Sequence, residues 1–141
     1  MNDFVVVVEE LIHLFQELIH IEQTKLEATS KNRITYVESC MNQEQAAILK
    51  LRGLDKKRET CQEKLGWKNN TFSQILSRTS GADYHQLKKL FDSLSFHVRQ
   101  FQDLNESARS MIEIKLHMIK KELATVPETA DSDNRKWEGL L

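Results

Sequence analysis

Apolar residues recur at heptad spacing through the first part of the chain. With position a placed at Phe4, the a and d positions up to position 28 are apolar except Lys25, and apolar residues at e widen the stripe. This spacing is typical of an amphipathic helix that packs one broad face against neighbouring helices. The pattern predicts a first helix over about 4–29, with Asp3 as its N-cap.

A second periodic stretch follows and ends at Gly66, which suits the position just past a helix terminus. It predicts a second helix over about 33–65. Thr71 and Gln74 then have the spacing of a capping box ahead of two apolar residues, which predicts a short helix over about 71–78. The apolar positions of the second stretch are Ile34, Val37, Met41, Ile48 and Leu51.

The last periodic segment is the longest. Between Leu87 and Ile119, 12 of the 15 a, d and e positions are apolar. This regularity predicts a helix over about 83–124. We expect Asn105, next to the seam, to hydrogen-bond across helices and fix their register, and His97 to keep its polar edge near solvent. The three polar exceptions are His97, Asn105 and Lys115.

Three such helices can bury their stripes against one another. The predicted fold is therefore all-α, an elongated antiparallel three-helix bundle that forms one domain over 1–124. Residues 125–141 are polar and contain the one proline, so we expect a disordered C-terminal tail. A bundle that covers its own stripe needs no partner copy, which favours a monomer or a weak homodimer.

Composition narrows the possible partners. The chain has 20 basic and 21 acidic residues and a net charge of −1, so it has no global field that would attract nucleic acid. No apolar run approaches the ~20 residues that span a bilayer, so we expect no stable membrane insertion. Cys40 and Cys61 fall on one helix about 31 Å apart, too far for a disulfide. Free thiols favour the cytoplasm.

Two Glu-x-x-His pairs lie one heptad apart in the first helix. This spacing occurs in di-iron bundles, but those sites take the two pairs from different helices. We therefore interpret the pairs as a solvated face rather than a metal site. Phosphate loops, nucleophile elbows and zinc-spaced cysteines are absent from the sequence, so we predict neither an enzyme nor a cofactor. The pairs are Glu10 with His13 and Glu17 with His20.

The end of the last helix departs from the heptad. Four apolar residues follow one another there at spacings of four, three and four, and the heptad assignment rotates Leu116 and Leu123 away from the main seam. An apolar patch beyond the reach of the first helix would be a partner site, although it could also pack against the other two helices. The predicted binding residues are Met111, Ile112, Leu116, Ile119 and Leu123.

The order and spacing of several short motifs resemble the FlgN family of flagellar export chaperones over nearly the whole chain. Each motif alone is common in heptad repeats, so the resemblance depends on the order and spacing of the motifs along the chain. The motifs are Leu11-Ile12-x-Leu14-x-x-Glu17-Leu18-Ile19-x-Ile21-Glu22, Lys25-Leu26, Lys50-Leu51 through Arg58 to Leu65-Gly66, and Leu104-Asn105-Glu106.

The resemblance implies a noncatalytic function in the cytoplasm. Such chaperones bind the C-terminal segments of the hook-filament junction proteins FlgK and FlgL, keep them unassembled and deliver them to FlhA of the type III export gate. It also implies client binding by the stretch from Met111 to Leu123 and the tail. Some members dock on the gate through a tyrosine near the C-terminus. No tyrosine follows Tyr84 here, so we expect the tail to dock through Trp137, Leu140 and Leu141.

Three other interpretations stay open at the level of sequence. One is a chaperone of the same export system for a different flagellar client, which co-purification of the client would distinguish. Another is a homo-oligomeric coiled-coil scaffold that pairs through the stripe at the end of the last helix. The third, a metal-binding bundle, is tested by elemental analysis of the purified protein.

Overall fold

The computed structural model describes residues 1–119 and 137–141, with only the backbone of Ile119. Every regular element in these two ranges is helical, which confirms the all-α class. The helices begin and end within two residues of the predicted positions, and the predicted end at 124 lies outside the described residues. They are α1 (Asn2–Ser30), α2 (Ile34–Lys64), α3 (Phe72–Ser77) and α4 (Gly81–Ile119).

Left-handed residues end the first two long helices. Asn32 follows α1 with φ 57°, and Gly66 follows α2 with φ 81°. At the second of these ends, Trp67 N–H donates to the carbonyl of Gln62 at 2.8 Å, which is the long bond of a Schellman motif. The predicted N-cap was wrong: α1 is capped by Met1 without a side-chain bond, and Asp3 lies in the first turn. In the first turn, the negative carboxylate of Asp3 interacts favourably with the positive end of the helix dipole.

The order of contacts along the helices defines the topology. Phe4 lies against Phe91 and Phe15 against Phe101, with ring centroids 6.0 and 5.9 Å apart, so α1 and α4 run in the same direction. Lys25 of α1 meets Glu44, early in α2, so those two helices are antiparallel. The result is the predicted three-helix bundle with up-down-up connectivity. Helix α1 is its centre, since α2 and α4 each pack more closely on α1 than on each other.

The central position of α1 explains why its buried face is wider than the heptad predicts. Both of its flanks are covered, and residues at b positions are therefore buried together with those at a, d and e. An outer helix such as α2 buries a narrower face. The b residues of α1 that the heptad left on the surface are Val5, Ile12 and Ile19.

One end of the bundle is sealed by aromatic rings, and we call it the closed end. The Phe72 ring of α3 stacks on Phe91 with centroids 4.2 Å apart, and Trp67 meets Phe4 edge-on at 5.7 Å. The predicted capping box holds α3 in place: Thr71 Oγ1 accepts from Gln74 N–H at 3.2 Å, and Gln74 Oε1 accepts from Thr71 N–H at 2.9 Å. The link between α2 and α4 thus contributes core side chains.

Candidate partner-binding surface

Helix α4 continues past the turn that joins α1 to α2. Asn105 of α4 lies beside Glu22 of α1, and eight positions further along the parallel helices α1 reaches its last residue, Ser30, while α4 has reached Glu113. From there to Ile119, α4 extends for about 9 Å at 1.5 Å per residue. We call this end of the molecule the open end.

Two large apolar side chains are exposed on this extension of α4. Ile114 is 60% exposed and Met118 is 70% exposed. Met111 completes the same helix face, since residues at i, i+3 and i+7 align. Sequence reasoning missed Ile114 and Met118, although their spacing from Met111 is the signal that finds them. A shallow depression runs along this face, lined by Asp103, Glu106, Ser107, Ser110, Met111, Ile114 and Lys115.

The predicted stripe lies on a different side of α4. Spacings of four, three and four residues return to the same helix face, so Ile112 and Leu116 align with the buried Phe101 and Asn105. Both are half-buried. The prediction that Leu116 is rotated away from the seam was therefore wrong, because the buried face of α4 follows a helix period near 3.6 rather than the heptad's 3.5. The side chain of Ile119, and all of Leu123, lie outside the described residues.

The first turns of α2 add apolar surface at the open end. Ile34 and Tyr36 are exposed, and the Arg33 guanidinium lies over the Tyr36 ring, 5.9 Å from its centroid. Val37 and Met41 are half-buried and share the helix face of the buried Glu44. Apolar side chains from two helices therefore meet solvent at this end of the bundle.

A buried polar cluster lies between the open end and the apolar core. Lys25 Nζ is 3.0 Å from Glu22 Oε1 and 2.6 Å from Glu44 Oε2, and the Asn105 amide donates to the two carboxylates at 3.4 and 3.3 Å. The cross-helix bonds of Asn105 confirm the role predicted for it. The heptad also marked Lys25 as an exception, but the two glutamates carried no signal because glutamate is common on helix surfaces.

The polar cluster holds two carboxyl groups around one ammonium group. Burial, followed by the hydrogen bond to Glu44, raises the pKa of Glu22 from 4.5 to about 8, against the opposing charge of Lys25. Cys40 lies close by and is buried, which raises the pKa of its thiol. A cluster of this kind specifies which turns of the three helices face one another, since any shift in register would strand a buried charge.

The C-terminal segment, residues 137–141, packs on the bundle. Trp137 is 2% exposed, and its ring meets Phe15 edge-on with centroids 5.2 Å apart. Leu140 and Leu141 are partly buried against the core. The tail expected over 125–141 is therefore folded at its last five residues, because an indole and two leucines bury apolar area on the bundle. The rest of that tail lies outside the described residues.

The C-terminal segment borders a polar cleft of about 310 Å³ beside α2. Arg58 donates to Asp55 Oδ1 at 2.8 Å and also to the amide oxygen of Gln62. Gln62 in turn donates to the carbonyls of Trp67 and Asn70 at 3.1 Å each. These bonds tie α2 to the link that follows it and shape one wall of the cleft.

The two Glu-x-x-His pairs lie on the exposed face of α1, as predicted. His97 is half-buried, with Nδ1 2.7 Å from the carbonyl oxygen of Ser93. Within residues 1–119 and 137–141, no group of three or more histidine, cysteine or acidic residues is arranged to hold a metal ion. In the same ranges, no helix has the length and apolar character needed to cross a membrane.

Comparison with known proteins decides the family. A family model described as FlgN protein matches residues 1–135. The chain belongs to the FlgN family. The uncharacterized protein YvyG of Bacillus subtilis strain 168 is similar to this FlgN family member, at 26% identity over 113 residues that cover 79% of this chain and 71% of YvyG. No solved structure matches the chain. Membership gives this protein the role of a flagellar export chaperone, with flagellar proteins as its partners.

Proposed function

We propose that this FlgN family member binds the C-terminal segments of the hook-filament junction proteins FlgK and FlgL in the cytoplasm. It keeps these clients from assembling prematurely and delivers them to FlhA at the type III export gate. The family supports the general role, and the open end supports the mode of binding. A helical bundle with uncovered apolar side chains at one end is suited to hold an amphipathic segment of another protein.

The exposure of Ile114 and Met118 is the observation that carries this proposal. A long helix could have ended level with the α1–α2 turn, yet α4 continues and presents two large apolar side chains that are mostly exposed. Apolar patches of this kind on a monomer mark binding sites. The charges around the patch are of both signs, so affinity comes from apolar contact rather than from a strong field.

The client site includes the residues predicted from the sequence. Ile112 and Leu116 supply one apolar side, and Met111, Ile114 and Met118 supply the outer side. The other two predicted residues are Ile119, whose side chain is not described, and Leu123, which lies outside the described residues. A client segment that is disordered when free would fold as a helix against these residues. Ordering it costs entropy and keeps the affinity moderate, which suits a complex that must release its cargo at the gate.

The binding test uses fluorescence anisotropy with labelled C-terminal peptides of FlgK and FlgL. The double variant Ile114→Asp with Met118→Asp should weaken binding by at least about thirtyfold, because each substitution removes an apolar contact worth roughly 1.5–3 kcal/mol. Phe96→Asp is the matched control: Phe96 lies on the same helix and is 64% exposed, but it is remote from the open end. Its binding should stay within about twofold of wild type.

Two results would contradict the proposal. Wild-type binding by the open-end double variant would place the client elsewhere. A stable dimer in light scattering at micromolar concentration, lost in the same double variant, would favour the coiled-coil scaffold instead. Binding of a different flagellar client, with both peptides inactive, would keep the chaperone role and replace FlgK and FlgL as clients.

Gate docking is the part of the proposal that involves the C-terminal segment. Trp137, Leu140 and Leu141 are apolar groups suited to a partner surface, but Trp137 is buried on the bundle. Docking on FlhA through these residues therefore requires the segment to leave the bundle first. Removal of residues 125–141 should weaken binding to the FlhA cytoplasmic domain, and unaltered binding would exclude this role.

A further inference from the structure

The C-terminal segment occupies a groove between two helices of its own chain. Trp137 contacts Phe15 of α1, and the cleft beside the segment is walled by Asp55, Arg58 and Gln62 of α2. We call this surface the α1–α2 groove. It lies midway along the bundle, since Phe15 is level with Phe101, and about 22 Å of α4 separates Phe101 from Leu116 at the open end.

The apolar spacing of the segment is that of a helix anchored in a groove. Trp137, Leu140 and Leu141 stand at i, i+3 and i+4 of one helical turn, closed by a 3.0 Å bond from Leu141 N–H to the Trp137 carbonyl. Side chains at this spacing share one face. Glu138 and Gly139 are exposed on the other side. The segment thus binds its own chain in the mode by which amphipathic helices bind partner proteins.

The segment is attached to the groove in a way that allows another helix to replace it. A single helical turn is not stable alone in water, so its order depends on the groove that it fills. The segment belongs to the same chain as the groove, so its effective concentration there is high without a permanent bond. The FlgN family match ends at residue 135, so the anchor Trp137 lies beyond the region that the family model covers.

We infer that the C-terminal segment is an intramolecular competitor of the client. It fills the α1–α2 groove until a client helix, carrying an aromatic residue followed by aliphatic residues three and four positions later, takes its place. A client helix must be at least about 22 Å long to extend from the open end to the level of this groove. Displacement also frees Trp137, Leu140 and Leu141 to contact the export gate. This inference rests on the proposed function, because the competing helix is the client segment.

The first test follows Trp137 directly in the full-length chain. Trp67→Phe removes the other tryptophan, so that the remaining emission reports on Trp137, which is buried beside Phe15. Saturation with the FlgK or FlgL C-terminal peptide should shift this emission to longer wavelength and increase its quenching by acrylamide at least twofold. Peptides with tyrosine or phenylalanine as the only aromatic residues keep the signal specific.

The second test measures affinity after the competitor is removed. In full-length Trp137→Ala, the client peptide should bind about tenfold more tightly than in wild type, as expected if nine-tenths of wild-type molecules have the groove filled. Glu138→Gln is the matched control, since Glu138 is exposed on the same turn. Its affinity should equal that of wild type. Circular dichroism verifies that both variants keep the helical bundle.

The outcomes separate the two proposals. Client binding to wild type with unchanged Trp137 emission, or with equal or weaker binding to Trp137→Ala, overturns the competitor and leaves the proposed function in place. Absence of client binding to both wild type and Trp137→Ala overturns the proposed function and this inference with it. If Trp137→Ala does not fold, the emission of the Trp67→Phe protein, which retains Trp137, decides the question.

Discussion

Large apolar side chains are covered at the closed end of this bundle and exposed at its open end. At the closed end, Phe4 and Phe91 are covered by Trp67 and Phe72, which the link between α2 and α4 supplies. At the open end the turn between α1 and α2 spans residues 31–33, and α4 extends past it. The long link uses its residues to cover apolar surface, whereas the short turn leaves such surface to solvent. Covered aromatic side chains therefore lie at one end, and exposed apolar side chains, where we propose that clients bind, lie at the other.

The largest expected effect is the loss of a closed-end ring. Phe91→Ala removes the stack on Phe72 and the edge contact with Phe4, which should lower the free energy of unfolding by about 3–5 kcal/mol. Phe96→Ala, five residues further along α4 and 64% exposed, should change it by less than about 0.5 kcal/mol. Urea denaturation followed by circular dichroism measures both. Similar losses in the two variants would mean that the closed end does not concentrate stability.

The polar cluster between the two ends should give the protein a distinctive pH dependence. The pKa of Glu22 rises from its ordinary value of 4.5 to about 8 in the folded protein, so between these values the folded chain binds more protons than the unfolded chain. The free energy of unfolding therefore falls as the pH rises through this window and levels off above about pH 8.

Glu22→Gln should flatten this dependence, because an amide imitates the protonated carboxyl group. The variant should be more stable than wild type at pH 8 and differ little from it near pH 4.5. Urea denaturation at several pH values gives the difference, in which the titration of other groups cancels. Glu17→Gln, on the exposed face of α1, is the matched control. A slope that persists in Glu22→Gln would mean that Glu22 is ionised throughout.

Loss of the capping box at the closed end should lower the free energy of unfolding by less than the loss of the Phe91 ring. Thr71→Ala removes the side-chain acceptor for Gln74 N–H and should cost about 1 kcal/mol. Thr71→Ser keeps the hydroxyl and should cost little. The measurement is again urea denaturation, and a large loss for serine would point to the threonine methyl group rather than to the cap.

The smallest expected effect is a gain in stability within α2, away from both ends. A methyl group added at Gly53 would meet no neighbouring atom within 4 Å, so Gly53→Ala should stabilise the helix by about 0.5–1 kcal/mol. Gly66→Ala is the informative contrast: Gly66 has φ 81°, so this substitution should destabilise the protein. Thermal unfolding should give a higher melting temperature for Gly53→Ala and a lower one for Gly66→Ala.

Helix positions and the role of Asn105 were accessible from the sequence because each depends on local spacing. The wide face of α1 was not, since the burial of Val5, Ile12 and Ile19 follows from α1 lying between two helices. The heptad period of 3.5 also placed Leu116 on the wrong side of α4. The period of a straight helix, about 3.6 residues per turn, places it correctly.

The candidate site was less accessible than the fold. Ile114 is an isolated apolar residue in the heptad, and Met118 falls at a d position that the heptad assigns to the seam; only the extension of α4 past the α1–α2 turn makes them a surface. Trp137 lies in a stretch of polar composition that predicted a free tail. Its burial depends on the shape of the groove beside Phe15, and no pattern within the stretch encodes that shape.

The central place of α1 also has a consequence for how the protein is made. Helix α1 meets α2 across a short turn, but Phe15 meets Phe101 only after 86 further positions have been synthesised. Contacts between near neighbours form first and distant ones last. A nascent chain on the ribosome would therefore contain a hairpin of α1 and α2, with one apolar face of α1 exposed to solvent until α4 emerges. Fragments that stop before α4 should precipitate.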